Sequence, residues 1–330
     1  MERPPVIRAA ENTDMEGVLG LLNGVFSAQQ RSTSRRDEGY WRWKFRENPF
    51  GASIVTVAEL DRSIVGVDNL WPWELSLEDT VIRAAQPCDS AVHEGQRGQG
   101  IFRSMRMYGL ERAREGGMGL IFNYPNANSL PLNLSLGWHY LGKINWWVKI
   151  LRPLGLLAGG GLKEQAEPAV MEGEYTLDTA LIDQVDQGSA YGGHLLRINR
   201  KPGFHAWRYA QHPYRSYGMV HYRRGGESTI AIFTINQKGS RREMVIVDLV
   251  GSAENTVPAV KMALEAGRQM GAVYCALMNN PGFATRELWK LGFIPRRFKN
   301  MAVLPLDADL RGKVNKYSNW SLMAGMHDSI

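Results

Sequence analysis

The fold of this chain is indicated most directly by the stretch Cys88-Asp89-Ser90-Ala91-Val92-His93-Glu94-Gly95-Gln96-Arg97-Gly98-Gln99-Gly100-Ile101. Its first five residues predict a strand, and the residues from Ile101 onward predict a helix. A glycine-rich turn between them places backbone N–H groups at a helix N-terminus, where the helix dipole adds about half a positive charge. Such a turn favours a pyrophosphate group, although a simple strand-to-helix turn has the same appearance.

The residues from Val92 to Ile101 resemble the acetyl-CoA signature of the GNAT acetyltransferase superfamily, in which a strand ending in valine precedes Arg-Gly-x-Gly and a helix. The resemblance continues through a strand at Leu120-Ile121-Phe122-Asn123 and a helix from Asn126 to Leu136-Gly137-Trp138. It implies an α/β fold with a mixed sheet and acetyl-CoA as co-substrate. The residues that it implies in cofactor binding are Ala91, Val92, Gln96, Arg97, Gly98, Gln99, Gly100, Ile101, Phe102 and Asn126.

The same resemblance implies direct attack of an amine on the thioester, with the carbonyl polarised by a backbone N–H near Val92. Asp89 and His93 flank the end of this strand and are candidates for the general base. Their alternatives are a structural hydrogen bond for Asp89 and a solvated loop position for His93. Many members of the superfamily have a tyrosine four residues before the glycine that is Gly137 here, but this chain has Asn133. The general acid is therefore left to Tyr124 or to a water molecule.

An internal repeat divides the chain. The segment Trp43-Lys44-Phe45-Arg46-Glu47-Asn48-Pro49-Phe50 aligns with Trp207-Arg208-Tyr209-Ala210-Gln211-His212-Pro213-Tyr214, a shift of 207 − 43 = 164. Leu136-Gly137-Trp138 aligns with Leu291-Gly292-Phe293, a shift of 292 − 137 = 155. Because Trp43 and Trp207 occur in both copies, core packing explains them better than ligand stacking.

The second copy lacks the glycine turn. Asp248 aligns with Asp89, but the residues after it are Leu249-Val250-Gly251-Ser252-Ala253-Glu254, with one glycine and an acid where the phosphates would lie. We therefore expect two tandem GNAT-like domains. Residues 1–150 would bind acetyl-CoA, residues 151–173 would form a linker, and residues 174–330 would form a degenerate copy that binds the acceptor or stabilises the chain.

Composition narrows the function further. The chain has 330 residues and a formal net charge of +6, but its basic residues are scattered, not gathered in the stripe of a nucleic-acid binder. Its two cysteines, Cys88 and Cys275, fit a reducing compartment, and metal binding is not indicated. The N-terminus lacks the apolar stretch of a signal peptide. Charges and Pro153 interrupt residues 144–157, so we expect a cytoplasmic protein without membrane insertion.

The expected partner is a small-molecule amine. Two-copy GNAT chains of this size look like bacterial N-acetyltransferases that modify nucleotide-linked amino sugars for surface polysaccharides. Other acceptors remain open: a polyamine, an aminoglycoside-type amine or a protein amine. A CoA-binding protein without catalysis is the alternative from another class, and the oligomeric state is open.

Overall fold

The computed structural model describes residues 4–28, 36–154, 173–187, 194–278 and 285–327. Most of the predicted linker, residues 155–172, therefore lies outside the described residues, together with its Gly159-Gly160-Gly161 run and Pro168. No helix in the described ranges combines the length and apolar composition that crossing a membrane requires.

Within the described ranges, the first half of the chain places a helical region after its first strand, then a meander of strands, then alternating helices and strands. Its elements are β1 (Val6–Ala9), α1 (Met15–Ala28), α2 (Glu38–Trp41), a π-helical segment (Arg42–Arg46), β2 (Ile54–Leu60), β3 (Ser63–Leu77), β4 (Thr80–Val92), α3 (Ile101–Glu115), β5 (Leu120–Asn123), α4 (Leu130–Ser135) and β6 (His139–Ile150).

The second half repeats this order from its π-helical segment to its last strand. Its elements are α5 (Thr179–Gln187), β7 (Arg197–Ile198), a π-helical segment (Ala206–Ala210), β8 (Gly218–Arg224), β9 (Glu227–Lys238), β10 (Arg241–Gly251), α6 (Thr256–Gln269), β11 (Ala272–Met278), α7 (Thr285–Lys290), β12 (Ile294–Pro305) and α8 (Arg311–Val314).

Both predicted shifts recur in the structure. The two π-helical segments lie 164 residues apart, as do β2 and β8, and the pairs α4/α7 and β6/β12 lie 155 residues apart. Trp43 and Trp207 are 4% and 3% exposed, so both are core residues, as their duplication indicated. Two tandem domains of one mixed α/β fold are therefore confirmed.

Helix α3 packs on the sheet of the first half through one apolar face. Ile101, Met105, Leu110 and Ala113 recur at helical spacing and are all buried. Each large apolar side chain buried in this way stabilises the fold by roughly 1.5–3 kcal/mol. The packing is close at Gly66, where an added Cβ would lie 2.9 Å from the Met105 side chain. The position of α3, and of the turn before it, is therefore fixed by core packing.

One compact unit comprises Met1–Leu75, Thr80–Leu141 and Met301–Asn315. Its strands have the order β1-β2-β3-β4-β5-β12. In this unit β5 pairs with β4 in parallel and with the end of β12 antiparallel, where Ala302 faces Asn123 and Leu304 faces Ile121.

The other compact unit comprises Ser76–Asp79, Gly142–Asn300 and Lys316–Ile330. Its strands include the order β6-β11-β10-β9-β8, in which β10 and β11 are parallel and β11 pairs antiparallel with β6. The apolar core of this unit includes Phe233, Ile246, Val260, Leu264 and Leu277.

The compact units follow the two halves of the sequence except at the last strand of each. Residues 142–150 of β6 belong with the second half, and residues 301–305 of β12 belong with the first. The predicted ranges 1–150 and 174–330 stay predictions for the bounds of the two copies. Similarity between β6 and β12 identifies them as copies, but it does not specify the sheet to which each strand adds its hydrogen bonds.

Candidate functional site

The glycine turn lies where strand β4 passes into helix α3. Gly98 and Gly100 have φ of +81° and +78°, in the left-handed region that favours glycine. A Cβ added at either position would meet no atom within 4 Å, so the space in front of both is open. The first N–H groups of the 15-residue helix α3 have no partner within the helix itself. The turn is thus shaped and charged to receive an anion at the main chain.

Side chains within the turn hold its shape. The ring nitrogen Nδ1 of His93 accepts a hydrogen bond from the backbone of Gly95 at 3.3 Å, and Arg97 Nε donates to the carbonyl of Val92 at 3.1 Å. Because Nδ1 accepts, the neutral His93 ring carries its proton on Nε2. The exposed His93 therefore has a positioning role in the turn, and its predicted role as general base stays a proposal.

Strands β4 and β5 separate beside this turn. Their parallel register joins Ala84 to Leu120 and Ala85 to Ile121, and β4 then continues to Val92 while β5 ends at Asn123. Ligands of open α/β sheets commonly bind in such a gap at the carboxyl ends of parallel strands. The gap brings the end of β4, with Ala91 and Val92, to the same edge of the sheet as the residues that follow β5.

Two predicted residues follow β5. Tyr124 is buried, with its ring 6.2 Å from that of Phe122 in an edge-on contact. Asn126 is exposed, and its Oδ1 accepts from the backbone N–H groups of Asn128 and Ser129 at 2.9 and 3.0 Å. Asn126 therefore shapes the turn that leads into α4. Cofactor contact by Asn126 and proton donation by Tyr124 stay predictions.

Asp89 lies in a buried cluster of charges. It accepts hydrogen bonds from Lys44 at 2.7 Å, from Arg36 at 2.8 Å and from the Tyr40 hydroxyl at 2.9 Å. Burial alone would raise the pKa of Asp89, but the charges of Lys44 and Arg36 outweigh it and hold this pKa well below its usual range. A carboxylate that is so strongly stabilised accepts a proton poorly, which does not favour Asp89 as the general base.

The second half keeps the aspartate–arginine pair of this cluster. Asp248, the counterpart of Asp89, pairs with Arg200 at 2.5 Å and accepts from Tyr209 at 3.0 Å. Arg200 is the counterpart of Arg36, since 200 − 36 = 164. Asp89 has φ of +43°, and strand β10 has a register shift between Ile246 and Asp248, so each strand is irregular at its aspartate. The aspartate–arginine pair is present in both halves, only one of which has the glycine turn, so this pair serves the fold.

A second buried network occurs in the first half alone, and it was not predicted from the sequence. Arg106 donates to Asp68 at 2.7 and 2.8 Å, and Ser90 donates to the same carboxylate at 2.5 Å. Arg106 also reaches Asn133 Oδ1 at 3.4 Å. Asn133 is fully buried, and its Nδ2 has no hydrogen-bond partner in the part of the chain that the structure describes.

Apolar residues replace this network in the second half. The counterparts follow from the paired strands and from two turn glycines with positive φ, Gly117 and Gly271, which are 154 residues apart. Four buried apolar residues take the equivalent positions: Ala231 replaces Asp68, Leu249 replaces Ser90, Val260 replaces Arg106 and Leu288 replaces Asn133. Comparison of the aligned copies was the signal that could have found the network.

A cleft of about 1020 Å³ adjoins the turn on the side of helix α1. Gly17 and Gly20 of α1 line it, together with His93, Glu94 and Arg97 of the turn. Among the described residues, no group of three His, Cys, Asp or Glu side chains could hold a metal ion.

The second half does not form the turn. Eight residues, 93–100, connect β4 to α3, but four residues, 252–255, connect β10 to α6. The shorter connection has no counterpart of Gly98 and Gly100, as the sequence predicted.

Comparisons with known proteins agree with this geometry. Residues 6–141 match the family model of the GNAT acetyltransferase domain. A search of curated proteins gave no match to the sequence.

Solved structures share the fold at low sequence identity. A GCN5-related N-acetyltransferase from Anabaena variabilis is 13% identical, with a TM-score of 0.61, over 91% of this chain and 73% of its own. A conserved protein from Enterococcus faecalis, named a probable N-acyltransferase, is 8% identical, with a TM-score of 0.63, over 92% and 73%. N-myristoyltransferase from Saccharomyces cerevisiae, solved with myristoyl-CoA, is 12% identical, with a TM-score of 0.56, over 92% and 85%.

The domain match covers strand β4, the glycine turn and helix α3, and the structural matches share the fold over both halves of the chain. Residues 6–141 are therefore a GNAT acetyltransferase domain, within a chain of two tandem GNAT-like halves.

Proposed function

We propose that this protein transfers an acetyl group from acetyl-CoA to the amine of a small molecule. The observation that carries the proposal is the turn at Gly98 and Gly100, which is open in front of both glycines and lies at the N-terminus of α3 beside the gap between β4 and β5. The acetyltransferase family match favours acetyl over longer acyl groups.

In this proposal the pyrophosphate of acetyl-CoA binds the N–H groups at the start of α3, and its pantetheine arm enters the gap beside Ala91 and Val92. The amine nitrogen attacks the thioester carbon, and the C–S bond breaks as the C–N bond forms. A backbone N–H near Val92 stabilises the carbonyl oxygen. The amine loses its proton to water or to His93, and the leaving thiolate is protonated by Tyr124 or by water.

We propose a nucleotide-linked amino sugar as the acceptor. The net charge of +6 suits a substrate that bears a pyrophosphate, and it suits CoA equally. This acceptor therefore has to be separated by experiment from a polyamine and from a protein amine.

The test is acetyl-CoA-dependent release of free thiol with a panel of amines: a nucleoside-diphosphate-linked amino sugar, glucosamine, spermidine and a peptide with a free N-terminus. We expect product with the nucleotide-linked amino sugar and a higher kcat/KM for it than for glucosamine. Binding of CoA without transfer to any amine would contradict an enzymatic role.

A further inference from the structure

The side chain of Gln86 is buried without hydrogen bonds. It lies on β4, is 1% exposed, and neither its Oε1 nor its Nε2 has a partner among the residues that the structure describes. Buried amides are almost always hydrogen-bonded, because an unpaired amide loses its bonds to water and gains none in return. A buried amide that no protein group satisfies is one that a bound ligand can complete.

The fold itself does not need a polar residue there. Gln86 lies three residues before Asp89, and Val245 lies three residues before its counterpart Asp248. Gln86 therefore corresponds to Val245, at a shift of 245 − 86 = 159. Val245 is 3% exposed on the equivalent strand. An apolar residue therefore fills the same position in the half that lacks the glycine turn.

Asn69 on the neighbouring strand shows the same contrast. Its Nδ2 donates to the carbonyl of Asp89 at 2.8 Å, whereas its Oδ1 has no partner within the described part of the chain. Its counterpart is Ile232, because Asn69 pairs with Val55 and Ile232 pairs with Met219, the counterpart of Val55.

Gln86 lies beside the point where β4 and β5 separate. It directly follows Ala85, the last β4 residue in the parallel register with β5. Leu70, Ala85 and Ile121 pack in one cluster on the α3 side of the sheet. The next residue of each strand, Trp71, Gln86 and Phe122, therefore points to the opposite face.

That face is rich in aromatic side chains. Trp71 lies 4.9 Å from Trp73 between ring centroids, and Trp73 lies 6.3 Å from Phe122. Aromatic rings supply apolar contact but few hydrogen bonds, so the amide of Gln86 and the Oδ1 of Asn69 are polar groups that can orient a ligand on this face. A cation would leave Nε2 of Gln86 unpaired, and an anion would leave Oε1 unpaired.

We infer that Gln86 is a specificity-determining residue, which binds an uncharged group of the acceptor that both donates and accepts a hydrogen bond, a hydroxyl or a carboxamide. This inference rests on the proposed acetyl transfer to an amine. It assigns the sheet face around Gln86 and Asn69 to the acceptor molecule, and it predicts that amines without such a group are poor substrates.

The test uses the full chain and the substitution Gln86→Met, which keeps the volume of the side chain and removes its hydrogen bonds. The first measurement is the melting temperature without ligand. We expect it to rise by about 2–4 °C, because the unpaired amide is gone. The matched control is Val245→Gln, which places an amide at the same position of the second half and should lower the melting temperature.

The second measurement is kcat/KM with glucosamine and with cyclohexylamine, which has a six-membered ring and no hydroxyl group. Gln86→Met should reduce the preference of the wild type for glucosamine by about tenfold, the effect of one lost hydrogen bond. Val245→Gln should leave this preference unchanged. The dissociation constant for acetyl-CoA should stay within twofold of the wild-type value in Gln86→Met.

The outcomes separate the two proposals. If the wild type acetylates no amine, the proposed function fails. If the wild type acetylates amines and Gln86→Met keeps the full preference for glucosamine, the assignment of Gln86 alone fails. A lower melting temperature in Gln86→Met would show that the amide has a hydrogen-bond partner within the chain. Weaker binding of acetyl-CoA would show that the amide binds acetyl-CoA and not the acceptor. Either result overturns the inference.

Discussion

Buried polar residues of this chain fall into two groups. Asp89 and Arg36 have counterparts in Asp248 and Arg200, so the fold uses them in both halves. Gln86 and the network around Arg106 occur in the first half alone, where the glycine turn is also found. Because the two halves share one fold, the second half serves as a natural control. The residue at the equivalent position there shows whether the fold requires a given residue of the first half. Residues of the first group should affect stability, and those of the second group should affect activity.

The substitution Asp89→Asn tests the first group. It leaves Lys44 and Arg36 buried without their carboxylate, so we expect the free energy of unfolding at neutral pH to fall by about 3–5 kcal/mol. The contribution of Asp89 is complete above about pH 4, the pKa of an unfolded aspartate, and is lost as the pH falls toward the lower pKa of the folded state. Urea unfolding of wild type and variant should therefore give a stability difference that narrows below about pH 4.

The matched control is Asp248→Asn, which should destabilise the chain in the same direction. A stability difference for Asp89→Asn that is constant from pH 7 to pH 2.5 would show that these ion pairs do not hold the carboxylate. The partners of Asp89 could not be predicted from sequence, because Arg36 and Lys44 precede it by 53 and 45 residues and no local pattern joins them.

At the scale of the element, the turn before α3 offers a direct test of cofactor binding. Valine at Gly98 or Gly100 would place a branched side chain in the open space and would strain a backbone with positive φ. We expect either variant to weaken binding of acetyl-CoA, measured by calorimetry, by at least about tenfold, the loss of one or two hydrogen bonds to the phosphates.

Gly239→Val is the matched control for backbone strain, because Gly239 has φ of +61° and open space around it in the second half. It should lower the melting temperature by a similar amount and leave acetyl-CoA binding unchanged. Wild-type affinity in both Gly98→Val and Gly100→Val would mean that the phosphates bind elsewhere.

Much of this element was predictable from sequence, because the glycine pair lies within a longer resemblance, from Val92 to Ile101, to the acetyl-CoA signature of the GNAT superfamily. The order of elements in both halves was predictable as well, since the shifts at Trp43 and Gly137 bracket each copy. The gap between β4 and β5 was not predictable, because it depends on where hydrogen bonds between two distant strands stop. The unpaired amide of Gln86 was missed for the same reason.

At the scale of the whole molecule, part of the last strand of each half belongs to the compact unit of the other half, namely residues 142–150 of β6 and residues 301–305 of β12. A fragment of residues 1–150 therefore lacks β12, which pairs with one edge of β5. It also carries β6 without its partner strand β11. Unpaired strand edges promote aggregation. We expect this fragment to aggregate, or to lack a cooperative thermal transition by circular dichroism.

Residues 1–141 joined by a flexible glycine and serine linker to residues 301–315 should behave differently, because they contain the complete unit. We expect a cooperative transition and measurable binding of CoA by calorimetry. If the fragment 1–150 melted cooperatively and bound CoA as tightly as the full chain, residues 301–315 would not be needed to complete the fold.

The exchange of last strands also sets the order of events on the ribosome. The glycine turn is synthesised early. One edge of β5 has no partner strand, however, until residues 301–305 of β12 have left the exit tunnel. At about 5–20 residues per second, this delay lasts roughly 10–40 s. A nascent chain of this protein is thus expected to complete the sheet of its first half only after β12 has emerged, and an interrupted message would yield a product with an uncovered strand for chaperones and proteases.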